Sequence, residues 1–291
     1  MSCNDSSSNA ALHVASHYNA RPELGIERRQ ESKIIRLRKF NNWVKAILIA
    51  KHTMPGDRAL DIGCGKGGDI GKWSLARVSE YVGIDIADVS IEQAKERMKD
   101  HRNKRFNAQF HALDCYKNPI RKVLPQGFVA DVISMQFCMH YAFETEQSAL
   151  QMIRNVAENL RPGGRFIGTI PNANWLVKKV RSSPDLSFGN SIYRVEFDKK
   201  TDFQPFGHRY RFTLEDAVDD CPEYLVNFHI FQRMAEAHGL QLVFKQTFHE
   251  YYQSLMGDQE NVNKLYAMGV VSDNGTSMSH EEWEAAGKSC D

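Results

Sequence analysis

No two of the six cysteines stand in a CxxC spacing; Cys3, Cys64, Cys115, Cys138, Cys221 and Cys290 are scattered along 291 residues. That scatter argues against a zinc site and a disulfide framework, and fits free thiols in a reducing compartment. No apolar run approaches the ~20 residues needed to cross a bilayer. The N-terminus MSCNDSSSNA has neither the basic patch nor the apolar run of a secretory signal, so an intracellular protein without a membrane partner is expected. Charge of one sign is lacking too: 37 basic against 36 acidic side chains leave a net +1, which excludes a chain-wide electrostatic grip on long nucleic acid. There is no internal repeat. What is present is 42% hydrophobic content, enough for a sizeable core in one large domain or two small ones.

Basic residues are clustered instead. KIIRLRKFNNWVK, residues 33–45, carries Lys33, Arg36, Arg38, Lys39 and Lys45 with no acid, and KERMKDHRNKR, residues 95–105, carries six basic residues. Each run reads either as a solvated helix face or as a contact for a small anionic substrate. From Glu31 to Lys51 the apolar steps of three and four residues predict a long amphipathic helix. RALDIG and YVGIDI have strand character, and Ser90 with Gln93 three residues on is a capping-box signature for the helix SIEQAKERMKDH. FNAQFHALD and DVISMQF read as third and fourth strands. A helix with Leu150, Ile153, Ala157 and Leu160 on one face follows, stopped by PGG, and RFIGTIP is a fifth strand. The alternation predicts an α/β fold with a doubly wound, mostly parallel sheet. Residues 1–12, rich in Ser and Asn, are expected to be disordered, and 13–291 to form a single domain. Residues 172–227 break the rhythm as an insertion or lid, after which FHIFQRMAEAHGL reads as a helix and QLVFKQTF as a strand.

Between the first strand and its helix stands ALDIGCGKGGD. Gly63, Gly65 and Gly68 satisfy GxGxxG, which alone marks only a nucleotide-type cofactor. It is not a P-loop, because Lys66 is followed by glycine rather than by Ser or Thr. Asp85 ends the second strand where a carboxylate can accept from two ribose hydroxyls, which leaves NAD possible. Asp61, two residues before the first glycine, tips the balance. An acid aimed into the pocket would repel a pyrophosphate but suit a cationic sulfonium with its amino-acid tail.

DxGxG with an acid at the end of the next strand resembles the class I S-adenosylmethionine-dependent methyltransferases. VASHYN, IIRLRKFNNWVKAILI, DIGCGKGGD, GIDIADVSI, MQFCMHYAFET, PGGRFIGTIP, YRF and PEYLV, in this order, narrow it further. Together they resemble the eukaryotic mRNA cap guanine-N(7) methyltransferases. The resemblance implies an enzyme that moves a methyl group from S-adenosylmethionine to ring nitrogen 7 of the 5′ guanosine cap, by positioning alone, with neither general base nor metal. It implies that Lys45, Asp61 and Gly63 meet the methionine end of the cofactor, Asp85 its ribose, and Asp114 and Gln136 the adenine neighbourhood, with Tyr141 at the border of cofactor and cap. Asn41 and Asn42 would meet RNA or cap, and Lys66, Lys72 and Arg97 the cap phosphates and ribose. His140, Tyr141 and Glu223 would grip the guanine. Trp175 and Tyr210 receive no role. A nuclear monomer, acting on capped nascent mRNA beside other capping enzymes and the transcription machinery, follows from the resemblance alone.

The chain departs from the family's pattern in residues 251–291. A segment like EWEAA there leads into a final aromatic-rich strand that contributes a tyrosine to the cap pocket, whereas nothing strand-like follows in GKSCD. The expectation is a weakened fold and cap pocket, with QLVFKQTF left without its neighbour. Competing readings are a methyltransferase for another substrate, a cap-binding or scaffold form with impaired catalysis, and, weakest, an NAD oxidoreductase.

Overall fold

The computed structural model describes residues 19, 31–101, 106–272, 274–275 and 277–290. The expectation for residues 1–12 concerns residues outside these, as does VASHYN apart from Asn19. Helix α1 (Ile35–His52) realises the basic amphipathic stretch; β1 (Arg58–Ile62), α2 (Ile70–Leu75), β2 (Glu80–Asp85), α3 (Asp88–Asp100) and β3 (Asn107–Ala112) then alternate. They continue as β4 (Ala130–Gln136), α4 (Glu146–Ala157) and β5 (Leu160–Pro171). The strands form one sheet in the order β5-β4-β1-β2-β3, parallel throughout, with helices on both faces. Period-two alternation sorts the side chains. Leu60, Ile62, Val82, Ile84, Ile133 and Met135 pack on α4, and Ala59, Tyr81 and Val132 pack on α2 and α3 through Trp73, Ile91 and Ala94.

The expected insertion is a unit of its own. Helix α5 (Ala173–Ser182) leads into four antiparallel strands, β6 (Ser187–Gly189), β7 (Tyr193–Phe197), β8 (Arg209–Leu214) and β9 (Val218–Tyr224). The apolar side of α1 (Leu37, Phe40, Trp43, Val44) shares a core with this sheet and with α7 (Phe248–Leu255), α8 (Gln259–Ala267) and α9 (His280–Ala286). Between them α6 (Phe228–Glu236) returns to the α4 face.

Four expectations are corrected. Helix α3 starts at Asp88, two residues before the expected cap, with no side-chain cap bond; Ser90 is buried inside it. On α4 the buried face is Ala149, Met152, Ile153 and Val156, while Leu160 belongs to β5. QLVFKQTF forms no strand. A groove of about 590 Å³ separates β5 from residues 240–244, so this backbone has no ladder to join, and Leu242 and Val243 are exposed. GKSCD, finally, does contain strand pairing: Ser289–Cys290 (β10) lies antiparallel on Pro171 and Ile170 of β5.

Candidate functional site

The glycine turn sits at the carboxyl end of β1, where parallel sheets open onto their ligand crevice. Gly63 has φ 77°, and a Cβ there would stand 2.6 Å from Cys138 Sγ, so only glycine fits. Gly65, at φ 52°, would project a Cβ into open space, which is the cavity the turn lines. Its N–H donates to Asp85 Oδ2 at 2.8 Å while Ala87 N–H donates to Oδ1 at 2.9 Å. Burial raises the Asp85 carboxyl despite these bonds.

This cavity, about 220 Å³, is lined by Gly63, Gly65, Asp85, Asp114, Gln136 and Tyr141 among others. Gln136 donates to Ser134 Oγ at 3.1 Å, but its Oε1 is buried with no partner. A second basin of about 310 Å³, lined by Lys45, Lys66, Asp69 and Arg97, adjoins it and shares Gly63 and Gln136. The structure therefore brings together an acidic cleft and a basic basin across one turn. Lys66 faces the basin, not the cleft.

Asp61 does not line either cavity. Alternation along β1 turns it beneath the turn, where the Tyr81 hydroxyl donates to it at 3.0 Å. Burial first, and then the Asp69 charge, push its carboxyl up to about 7. A raised value means that the folded chain holds more protons than the unfolded one between about pH 4 and 7, so Asp61 loses stability for the fold as pH rises through that window. Asp61→Asn should show a smaller drop in melting temperature from pH 5 to pH 8 than the unaltered chain.

Lys72, Asn41 and Asn42 also lie off the two cavities. Lys72 donates to Asn42 Oδ1 at 3.0 Å and to Asp69 Oδ1 at 2.7 Å, and Lys45 donates to Asp69 Oδ2 at 3.0 Å. Asn41 is half-buried, with a buried Oδ1 that has no partner. Asp69 is one residue that sequence reasoning missed. Burial works against its charge, but the Lys45 and Lys72 ammoniums outweigh that and hold the carboxyl down at about 2. Its i,i+3 spacing to Lys72 was a readable signal; Lys45 comes from another helix.

Glu223 is on β9, whose neighbouring residues Pro222 and Tyr224 line the cleft; Glu223 itself does not. Its carboxylate, 4% exposed, accepts from Tyr210 Oη at 2.6 Å and Lys288 Nζ at 2.8 Å, and lies 3.5 Å from His140 Nε2. Burial opposes its charge, yet Lys288 first and then His140 hold it well below the usual carboxylate range. The His140 ring packs on Tyr141 at 4.2 Å. Tyr210 and Lys288 were given no role from sequence, since only the β8–β9 pairing and the α9–β10 corner bring them here. Among the described residues no group of three His, Cys, Asp or Glu side chains could hold a metal ion.

An adenosine-bearing cofactor fits this cleft. Two carboxylates can accept from hydroxyl or amine groups, the orphaned Gln136 Oε1 wants a donor, and a glycine backbone forms the floor. If Asp85 receives ribose hydroxyls, Asp85→Asn should weaken binding of S-adenosylhomocysteine about tenfold, since bonds to a charged acceptor exceed neutral ones by roughly 1–1.5 kcal/mol. Calorimetric titration checks this.

Residues 2–288 match the family model described as the mRNA (guanine-N(7))-methyltransferase domain. An mRNA cap guanine-N(7) methyltransferase of Cryptococcus neoformans is 48% identical over 283 residues, covering 94% of this chain and 46% of that protein. One from Arabidopsis thaliana is 42% identical, covering 97% of this chain and 80% of that protein. The chain spans under half the length of the Cryptococcus relatives, at 46% and 40%. Among solved structures, the CcbJ methyltransferase from Streptomyces caelestis aligns with a TM-score of 0.51 at 13% identity, over 95% of this chain and 93% of that one, a likeness of fold.

Proposed function

The chain belongs to the mRNA (guanine-N(7))-methyltransferase family, and from that premise we propose that it methylates ring nitrogen 7 of the 5′ guanosine cap of mRNA. The observation that carries this reading is the pair of adjoining cavities sharing Gly63 and Gln136, one lined by Asp85 and Asp114, the other by Lys45, Lys66 and Arg97. Acids suit ribose hydroxyls and the adenine amine; lysines and arginine suit a triphosphate.

S-adenosylmethionine, when bound, supplies an electrophilic methyl group. Everything else is the chain's work of placement. Asp85 and Asp114 hold the adenosine half, the Gly63 backbone admits the methionine end, and Lys66 and Arg97 fix the cap's phosphates. His140, Tyr141 and Glu223 receive the guanine, whose N7 lone pair is already nucleophilic, so no side chain has to remove a proton. Bringing the two substrates together in a reactive orientation would contribute on the order of 7–11 kcal/mol. Asp61, set beneath the turn, supports the loop rather than touching the sulfonium directly. A nuclear location, a monomeric state and association with other capping enzymes or the transcription machinery belong to the same proposal, supported by family membership.

The test is transfer of a labelled methyl group from S-adenosylmethionine to guanosine-capped RNA and to the same RNA uncapped. Label recovered as 7-methylguanosine from capped RNA alone supports the reading. Equal transfer to both would favour another substrate, and cap binding without transfer would favour a binding form.

A further inference from the structure

The carboxylate assigned to guanine is already taken. Lys288 is 6% exposed; its ammonium sits 2.8 Å from Glu223 Oε2, 3.0 Å from the centroid of the Phe212 ring and 5.6 Å from that of Tyr210. Tyr210 shares Oε2 at 2.6 Å, and His140 stands at Oε1. Neither the acidic cleft nor the basic basin reaches Glu223. A planar base can approach this carboxylate only if something leaves. Of the two groups bonded to Oε2, Lys288 is the one that reaches it from outside the β8–β9 sheet, on a flexible four-carbon stem. It stands two residues past α9; its N–H donates to the Ala285 carbonyl, its carbonyl accepts from Asn172 N–H, and the neighbouring Ser289 and Cys290 pair with β5. Tyr210 and Glu223 face one another across the β8–β9 ladder.

We propose that Lys288 is a specificity gate of the guanine site: its ammonium holds the place on Glu223 that a base must take, and a base enters only by displacing it. The inference rests on the reading of Glu223 given above. Displacement leaves a buried carboxylate bonded only to Tyr210 at Oε2, with His140 3.5 Å from Oε1, and an under-compensated buried charge is strongly unfavourable, so the incoming base must donate at both oxygens. Guanine does so, because N1–H and the exocyclic amine are adjacent donors with the spacing of a carboxylate. Adenine and cytosine pair one amine with a ring nitrogen whose lone pair would face the carboxylate, and uracil offers one N–H between two carbonyls. The released ammonium passes to water, which solvates it better than the protein interior. Lys288 thereby makes entry conditional on the donor pattern of one base, a rejection device as well as a contact.

The unaltered chain can be tested by acetylation with acetic anhydride, read by peptide mass spectrometry, alone and with saturating GpppG or ApppA. Lys288 should be protected in the free chain, gain reactivity about tenfold with GpppG, within the usual span of coupled equilibria, and stay protected with ApppA. Unchanged or lower reactivity with GpppG would overturn the gate. A second arm uses Lys288→Met, which should bind GpppG about tenfold tighter by calorimetry, with S-adenosylhomocysteine affinity as the check of folding. Equal or weaker GpppG binding would make Lys288 a structural partner or a direct contact and overturn the proposal. Should that variant not fold, the acetylation result decides. Glu223→Gln separates the two layers. If it leaves GpppG affinity unchanged, the reading of Glu223 fails and the gate with it. If it weakens GpppG while Lys288 stays protected in the unaltered chain, the gate alone fails.

Discussion

Asp69→Asn should cost the fold about 3 kcal/mol, the loss typical of removing one partner from a buried ion pair. The residue is 8% exposed and both of its oxygens are engaged, by Lys45 from α1 and by Lys72 from α2. Without the carboxylate, two ammoniums are left near one another in a site where burial already lowers Lys72. At roughly 2–4 °C per kcal/mol for a domain of this size, the melting temperature should fall by about 6–12 °C. Lys72→Met in the same chain should recover a large part of that loss, because it removes the uncompensated charge rather than restoring a bond. If the double variant melts no higher than Asp69→Asn, the cost lies in the turn's geometry and not in the ion triad. The loss should also reach the basic basin, since Lys45 lines it together with Asp69.

The same triad shows which parts of the site could be read along the chain. The glycine turn was legible because its chemistry is local: a strand, glycines at fixed offsets, a helix, and an acid at the end of the next strand all lie within residues 58–85. The parallel sheet was legible because alternation is also local, and β1 to β5 lie where it put them. Asp69 was half legible. Its bond to Lys72 spans three residues, but its bond to Lys45 exists only because the apolar face of α1 packs across the molecule and carries its polar edge to the turn. The burial of Asp61 beneath the turn was not legible for a related reason. Sequence gives strand parity but not which face meets the cleft, and that is set by Tyr81 and Trp73 filling the α2–α3 side. The α4 face was displaced by one residue because small Ala149 can be buried as fully as a leucine, and periodicity weights the larger Leu150. QLVFKQTF has strand composition, yet a strand needs a ladder, and no pattern within the segment reports whether one stands beside it.

Glu223→Gln should lower kcat/KM for guanosine-capped RNA by roughly 10²–10³, as when a key electrostatic contact of a buried site is removed, and leave S-adenosylhomocysteine affinity unchanged. An amide keeps the shape but has one acceptor, so it cannot take both adjacent donors of guanine, and its NH₂ would meet one of them. The cofactor is spared because Glu223 faces away from the cleft that Pro222 and Tyr224 line. A purely structural role would lower both affinities together, so this split is the deciding readout. The acid limb of stability gives an independent check. The folded carboxyl is depressed below its ordinary 4.5, chiefly by Lys288 and then His140 against the opposing effect of burial. Its contribution is therefore complete above about pH 5 and is lost as pH falls towards the folded value. Glu223→Gln should melt lower than the unaltered chain at pH 7, and the difference should narrow steadily as the solution is acidified from pH 5. A gap constant over that range would mean that the Glu223–Lys288 pair does not hold the β8–β9 sheet to the β10 corner.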